Sequence, residues 1–106
     1  MRVFLALCGF AIAGLVFAAD PTFEITIRDH RFVPNEITVP AGQKVKLVVR
    51  NEDATPEEFD SKRLNREKVI PGRSQATIYV GPLKPGEYPF VGEFNESTAT
   101  GKIVVK

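Results

Sequence analysis

Alternation between apolar and polar residues constrains the fold of this chain more than any other feature. The segments that show it best are residues 23–28, 45–50 and 76–80. A period of two sends successive side chains to opposite faces of a strand, so each segment predicts a strand with one buried and one solvated face. Shorter strands are predicted at residues 37–39, 88–90 and 103–105.

Turn residues separate these strands at intervals of about ten residues, which is the spacing typical of β-sandwiches. Examples are Pro40-Ala41-Gly42, Gly81-Pro82 and Pro85-Gly86. A length of 106 residues leaves room for one small domain. The sequence therefore predicts an all-β protein, a single Greek-key sandwich of about seven strands.

Residues 1–18 are predicted to be a secretory signal peptide that is not part of the fold. Arg2 supplies a positive start, residues 3–17 are almost entirely apolar, and the small residues Ala18 and Ala19 are alternative cleavage points. The apolar run is shorter than the roughly 20 residues needed to span a bilayer. We therefore expect export to the periplasm, no membrane insertion after cleavage, and a mature domain at residues 19–106.

Cleavage would remove one charged and one reactive side chain from the protein. Without Arg2 the fourteen basic residues become thirteen, which equals the thirteen acidic ones, so no field of one sign suggests a nucleic-acid partner. The single cysteine, Cys8, is removed as well, which leaves no disulfide and no thiolate nucleophile. The sequence contains one histidine and no glycine-rich phosphate loop, so an enzymatic function is less favoured.

Two segments near the C-terminus resemble the signature of cupredoxins. Residues 85–95 read Pro-Gly-Glu-Tyr-Pro-Phe-Val-Gly-Glu-Phe-Asn, and residues 99–105 read Ala-Thr-Gly-Lys-Ile-Val-Val. Cupredoxins carry Pro-Gly-x-Tyr-x-Phe, then a copper-binding Cys, then a His and a Met in one loop before the last strand. The resemblance implies a cupredoxin-like sandwich in which Tyr88 and Phe90 belong to the core and Tyr88 forms a tyrosine corner.

The same register places other residues where cupredoxins have copper ligands. Gly92 stands at the Cys, Asn95 at the loop His, Ala99 at or beside the Met, and Glu57 or Glu58 at the remaining His. A blue-copper centre needs a thiolate and two imidazoles. The resemblance therefore predicts this fold without a blue-copper centre.

A second resemblance is more specific. Residues 56–61, 67–70, 81–83 and 92–94 are similar to the EfeO-type cupredoxin-like domain of bacterial periplasmic iron-uptake systems. This resemblance implies an accessory role in iron handling, with iron as the bound ion and copper as the alternative. Its implied partner is a periplasmic iron-binding protein or a membrane permease.

Carboxylate and amide oxygens are the candidate ligands, because such donors suit hard ions. Glu58, Glu93 and Asn95 come first, followed by Glu57 and His30. Three functions remain open at this point. They are metal handling for iron uptake, a metal-free module that docks a permease or a larger binding protein, and, ranked last, copper-dependent oxidation of Fe(II).

Overall fold

The computed structural model describes residues 19–106, which form a sandwich of two β-sheets. The strands are β1 Thr22–Arg28, β2 Arg31–Val33, β3 Glu36–Val39, β4 Val45–Asn51, β5 Glu57–Ser61, β6 Arg66–Ile70, β7 Ser74–Val80, β8 Gly86–Gly92 and β9 Thr100–Val105. The predicted all-β sandwich is confirmed, with nine strands rather than about seven. Residues 1–18, and with them the predicted signal peptide, lie outside the described residues.

The strands divide into a four-stranded sheet of order β2-β1-β4-β7 and a five-stranded sheet of order β3-β9-β8-β5-β6. Each sheet contains one parallel pair, β1 with β4 and β3 with β9, and the remaining pairs are antiparallel. The chain crosses between the two sheets five times, at the connections β2–β3, β3–β4, β4–β5, β6–β7 and β7–β8. Residues 19–106 hold both sheets and the core between them, so we expect this segment to fold on its own.

Three strands do not show the alternation of apolar and polar residues that predicts a strand, and each has an identifiable reason. β2 has only three residues, and β6 is an edge strand with four exposed positions. β5 reads Glu-Glu-Phe-Asp-Ser, so charged residues hide its periodicity although its first, third and fifth side chains are buried. β5 is the strand that positions the site described below.

Aromatic residues fill the centre of the core. Phe59 stacks on Phe90 with ring centroids 4.8 Å apart, and Phe32 meets Phe90 edge-on at 4.9 Å. Tyr88 is buried as predicted, and its hydroxyl donates a 2.7 Å hydrogen bond to the Lys84 carbonyl four residues upstream. This bond has the form of the predicted tyrosine corner.

The pairing of β5 with β8 decides which residues meet at one end of the sandwich. Phe59 lies opposite Gly92, the last residue of β8, so Glu57 extends beyond that strand. The chain there continues into a 3-10 turn, Glu93–Asn95, which contacts β5. In residues 19–106 we find no helix with the length and apolarity needed to cross a membrane.

Candidate functional site

β5 directs the Glu57 side chain into the sandwich. Glu57 shares the buried face of this strand with Phe59 and Ser61, and only 1% of it is exposed. Glu58 follows it and, because strand side chains alternate, points to the outer face. Of the two glutamates predicted to stand at the position of a copper-binding histidine, Glu57 is therefore the inward one.

The Glu57 carboxylate is surrounded by hydrogen-bond donors. Its Oε1 accepts from the amide N–H of Glu58 at 2.9 Å and from that of Phe94 at 2.8 Å. Its Oε2 accepts from the Asn95 side-chain amide at 2.7 Å. A buried carboxylate is costly unless its lone pairs are satisfied, and here three N–H groups satisfy them. Glu57 thus ties β5 to the segment that follows β8.

Gly92 leaves the space that the carboxylate occupies. A Cβ at this position would lie 2.6 Å from the Ala99 Cβ and 2.7 Å from the Glu57 Cδ, closer than real Cβ contacts. The Gly92 backbone, with φ −91° and ψ 105°, is extended and open to any residue. Glycine is therefore required here for space rather than for conformational freedom.

These groups do not fit a copper ion of the blue-copper type. Gly92, Asn95 and Glu57 converge as the motif register predicts, but they offer no thiolate and no imidazole. The Glu57 oxygens and the Asn95 amide are also engaged with one another. We therefore derive no copper chemistry from this end of the molecule.

Glu58, on the outer face of the five-stranded sheet, and Glu93, in the 3-10 turn after β8, form a second pair. Partial burial raises the pKa of Glu58, and the neighbouring Glu93 carboxyl raises it further through its charge and through a shared hydrogen bond. Glu67 and Asp60 add smaller effects in the same direction. Within residues 19–106, no cationic side chain is within ion-pair distance of Glu58 or Glu93.

The raised pKa of Glu58 makes stability depend on pH with a definite sign. The folded protein binds this proton more tightly than the unfolded chain, so the contribution of Glu58 to stability is lost as pH rises from the ordinary glutamate pKa through the folded pKa. Glu58→Gln should remove this dependence and be more stable than the parent at neutral pH. Urea unfolding over a series of pH values measures the difference.

Glu87→Gln is the matched control, because Glu87 lies on the same face but forms an ion pair with Lys102 at 3.2 Å. This variant should gain no stability at neutral pH. A Glu58→Gln variant less stable than the parent at neutral pH would contradict the assigned repulsion.

His30 lies in the turn between β1 and β2 and pairs with a residue that the sequence analysis missed. Asp53 accepts hydrogen bonds from the amides of Asp29 and His30 at 2.9 and 3.0 Å, and the His30 Nδ1 lies 3.6 Å from its carboxylate. The bond from the His30 amide is the main cause that lowers the pKa of Asp53. Thr98 donates to the His30 carbonyl at 2.6 Å, which places this turn beside the loop before β9.

Asn51 is the other residue that the sequence analysis missed. Its side chain is buried, donates to the Thr55 and Ile70 carbonyls at 2.8 and 3.1 Å, and accepts from the Asp53 amide at 3.0 Å. The last bond is an Asx-type turn, which an asparagine at the end of a strand favours. That signal was available in the sequence, and it would have marked Asn51 and Asp53 as organisers of the loop that leads to Glu57.

The five candidate ligands thus form two pairs and one single residue: Glu57 with Asn95, Glu58 with Glu93, and His30, which lies beside the non-candidate Asp53. In the part of the chain that the structure describes, no three His, Cys, Asp or Glu side chains are placed to hold a metal ion together. Whether any of these residues binds metal remains a prediction.

The family relationship follows from the sequence as a whole. The cupredoxin-like domain family matches residues 1–105, nearly the entire chain. This chain belongs to the cupredoxin-like family. The Glu57–Asn95 pair is therefore found on a cupredoxin-like scaffold, at the positions that the motif register assigns to two histidines.

A relative of this cupredoxin-like chain is an uncharacterized protein of Rickettsia prowazekii (strain Madrid E). It is 46% identical over 82 residues, which cover 77% of the present chain and 66% of that protein. The match therefore leaves about a third of the relative's length unaccounted for.

Solved cupredoxin structures share the fold at low sequence identity. Auracyanin A, a "blue" copper protein from Chloroflexus aurantiacus, superposes with a TM-score of 0.71 at 17% identity, covering 83% of this chain and 100% of that one. The metal-binding domain of the Cu(I)-exporting P-type ATPase of Streptococcus pneumoniae D39 gives a TM-score of 0.68 at 14% identity, covering 80% and 84%. At such identities these structures support the fold alone.

Proposed function

We propose that this cupredoxin-like protein is an accessory docking module of a periplasmic iron-uptake system, and not an electron carrier. The observation that carries the proposal is the Glu57 carboxylate, which accepts three hydrogen bonds where the motif register places a copper ligand. A carboxylate held in this way makes the end of the sandwich a rigid surface without a redox centre. A rigid surface of this kind suits recognition of another protein.

Location and partner are drawn from the sequence. The apolar N-terminal run with Arg2 before it supports export, and the EfeO-type resemblance supports a periplasmic iron-binding protein or a membrane permease as the partner. Copper-dependent oxidation of Fe(II) is not proposed, because Gly92 and Asn95 supply neither thiolate nor imidazole.

A second candidate function is iron handling at the Glu58–Glu93 pair. One observation favours it: the Glu93 carboxyl raises the pKa of the neighbouring Glu58, and neither carboxyl has a cationic partner among the described residues. Carboxylate oxygens suit Fe(III) better than Cu(I). Iron would then be cargo that the protein passes on, and docking would deliver it.

A metal titration of residues 19–106 distinguishes the two functions. Cu(II) and Fe(III) should be added separately, with calorimetry and with elemental analysis after desalting. The docking module predicts no stoichiometric retention of either ion, because the inward ligands are engaged and the outward pair offers only two carboxylates. Stoichiometric Cu(II) retention would overturn the proposal.

Stoichiometric Fe(III) retention would favour the cargo function if Glu58→Gln abolishes it. Glu87→Gln, which removes an equivalent charge from the same sheet face, is the control and should retain iron. If both variants lose iron equally, binding reflects surface charge rather than a site.

A further inference from the structure

Three N–H groups converge on one carboxylate at the end of the sandwich. The amides of Glu58 and Phe94 and the Asn95 side-chain amide all donate to the Glu57 carboxylate at 2.7–2.9 Å. We call these three donors the cradle. Charge-assisted bonds from several N–H groups form the arrangement with which proteins bind anions.

The cradle is built by contacts that do not involve Glu57. The Gly92 amide donates to the Ala99 carbonyl at 2.8 Å, and the Ala99 amide donates to the Asn95 carbonyl at 2.8 Å, so the loop is closed on itself. Glu58 is held by the pairing of β5 with β6. These contacts should hold the donors nearly in place when the carboxylate is removed.

We infer that the cradle is an anion site occupied by the protein's own Glu57, and that it will bind a small carboxylate when the Glu57 side chain is cut back. The internal anion ties β5 to the loop after β8. This connection between β5 and the loop after β8 therefore requires no bound metal ion, whichever protein is the docking partner.

The space around the Glu57 carboxylate supports the assignment of an anion site, in addition to the charge of this group. Gly92 and Ala99 are small residues on one side of the carboxylate, and the Gly92 position cannot take a Cβ while Glu57 is present. Truncation to alanine deletes a group with the shape of acetate. The vacated volume and the three donors then match acetate in size and polarity.

Rescue of Glu57→Ala by acetate is the test. The melting temperature of residues 19–106 should fall in Glu57→Ala, and sodium acetate should raise it in proportion to the logarithm of its concentration, as for a ligand of the native state. Sodium chloride at equal ionic strength and pH should not reproduce the rise. Glu58→Ala, which removes a neighbouring outward carboxylate, should show no response specific to acetate.

Equal effects of acetate and chloride on Glu57→Ala would overturn the anion site. A second measurement applies if Glu57→Ala does not fold. Hydrogen exchange of the Phe94 amide should be slow in the parent although half of the Phe94 residue is exposed, and about tenfold faster in Glu57→Gln, since a neutral acceptor forms a weaker bond. Exchange in the parent at the rate of an open loop would also overturn the inference.

Discussion

Replacing Glu57 with leucine should lower the free energy of unfolding by about 3–4 kcal/mol, because the three donors of the cradle lose their acceptor at once. A buried N–H without a partner costs about 1–3 kcal/mol, and partial access of water to the loop moderates the sum. Leucine has nearly the right size for the site, so the loss is mainly polar rather than a cavity effect.

Chemical denaturation of parent and variant measures this effect directly, and the melting temperature should fall by about 4–8 °C for each kcal/mol in a domain of this size. Glu58→Leu is the control, because it makes the same change one residue later on the outer face. Its cost should be small. If the two leucine variants were equally stable, the Glu57 carboxylate would not be the tie that we describe.

The fold was largely predictable because alternation and turn residues are local signals. β4 buries every second residue, and β1 and β7 alternate between more and less exposed positions. This alternation can be recognised in the sequence without any knowledge of the neighbouring strands. The strand β5 could not be predicted from the sequence, because Glu57 and Asp60 give it the composition of a polar loop. Its burial follows from pairing with β6 and β8, which is set by residues distant in the chain.

The cupredoxin motif register predicted part of this arrangement, and the assignment of metal ligands among these residues stays a prediction. The motif register correctly brings Gly92, Asn95 and a glutamate of β5 to one place. It did not decide between Glu57 and Glu58, because a shift of one residue in strand register exchanges the inward and outward faces. The partner of His30 was also missed, since Asp53 reaches the turn from a different loop.

The chemistry of Asn95, and not only its position, determines what this site can bind. Asn95 stands where a metal-binding side chain was expected, yet its amide nitrogen is a donor and can only face an acceptor. Glu57 supplies that acceptor. A change of one residue type in such a site therefore alters what the others can bind, which separate inspection of each position does not reveal.

Introducing the missing cysteine with Gly92→Cys should destabilise the protein by about 3 kcal/mol, because its Cβ would overlap two groups that cannot both move away. One is the Ala99 Cβ and the other is the Glu57 carboxylate, held by its hydrogen bonds. Gly92→Ala should cost a similar amount, since the clash lies at Cβ and the backbone is already extended. Urea unfolding of both variants gives the values.

The decisive measurement is a double-mutant cycle with Glu57→Ala. Removing the carboxylate eliminates one of the two overlaps, so Gly92→Cys should cost about 1–2 kcal/mol less in that background than in the parent. Gly101→Ala is the control: its Cβ would meet the Phe90 ring at 2.6 Å and the Asn35 carbonyl at 2.7 Å, and neither contact involves Glu57. Its cost should be the same in both backgrounds.

Additive behaviour of Gly92→Cys would mean that Glu57 and residue 92 do not compete for space. The predicted coupling would instead show that the Glu57 carboxylate and a side chain at residue 92 compete for the same space, which disfavours a cysteine ligand there while Glu57 remains.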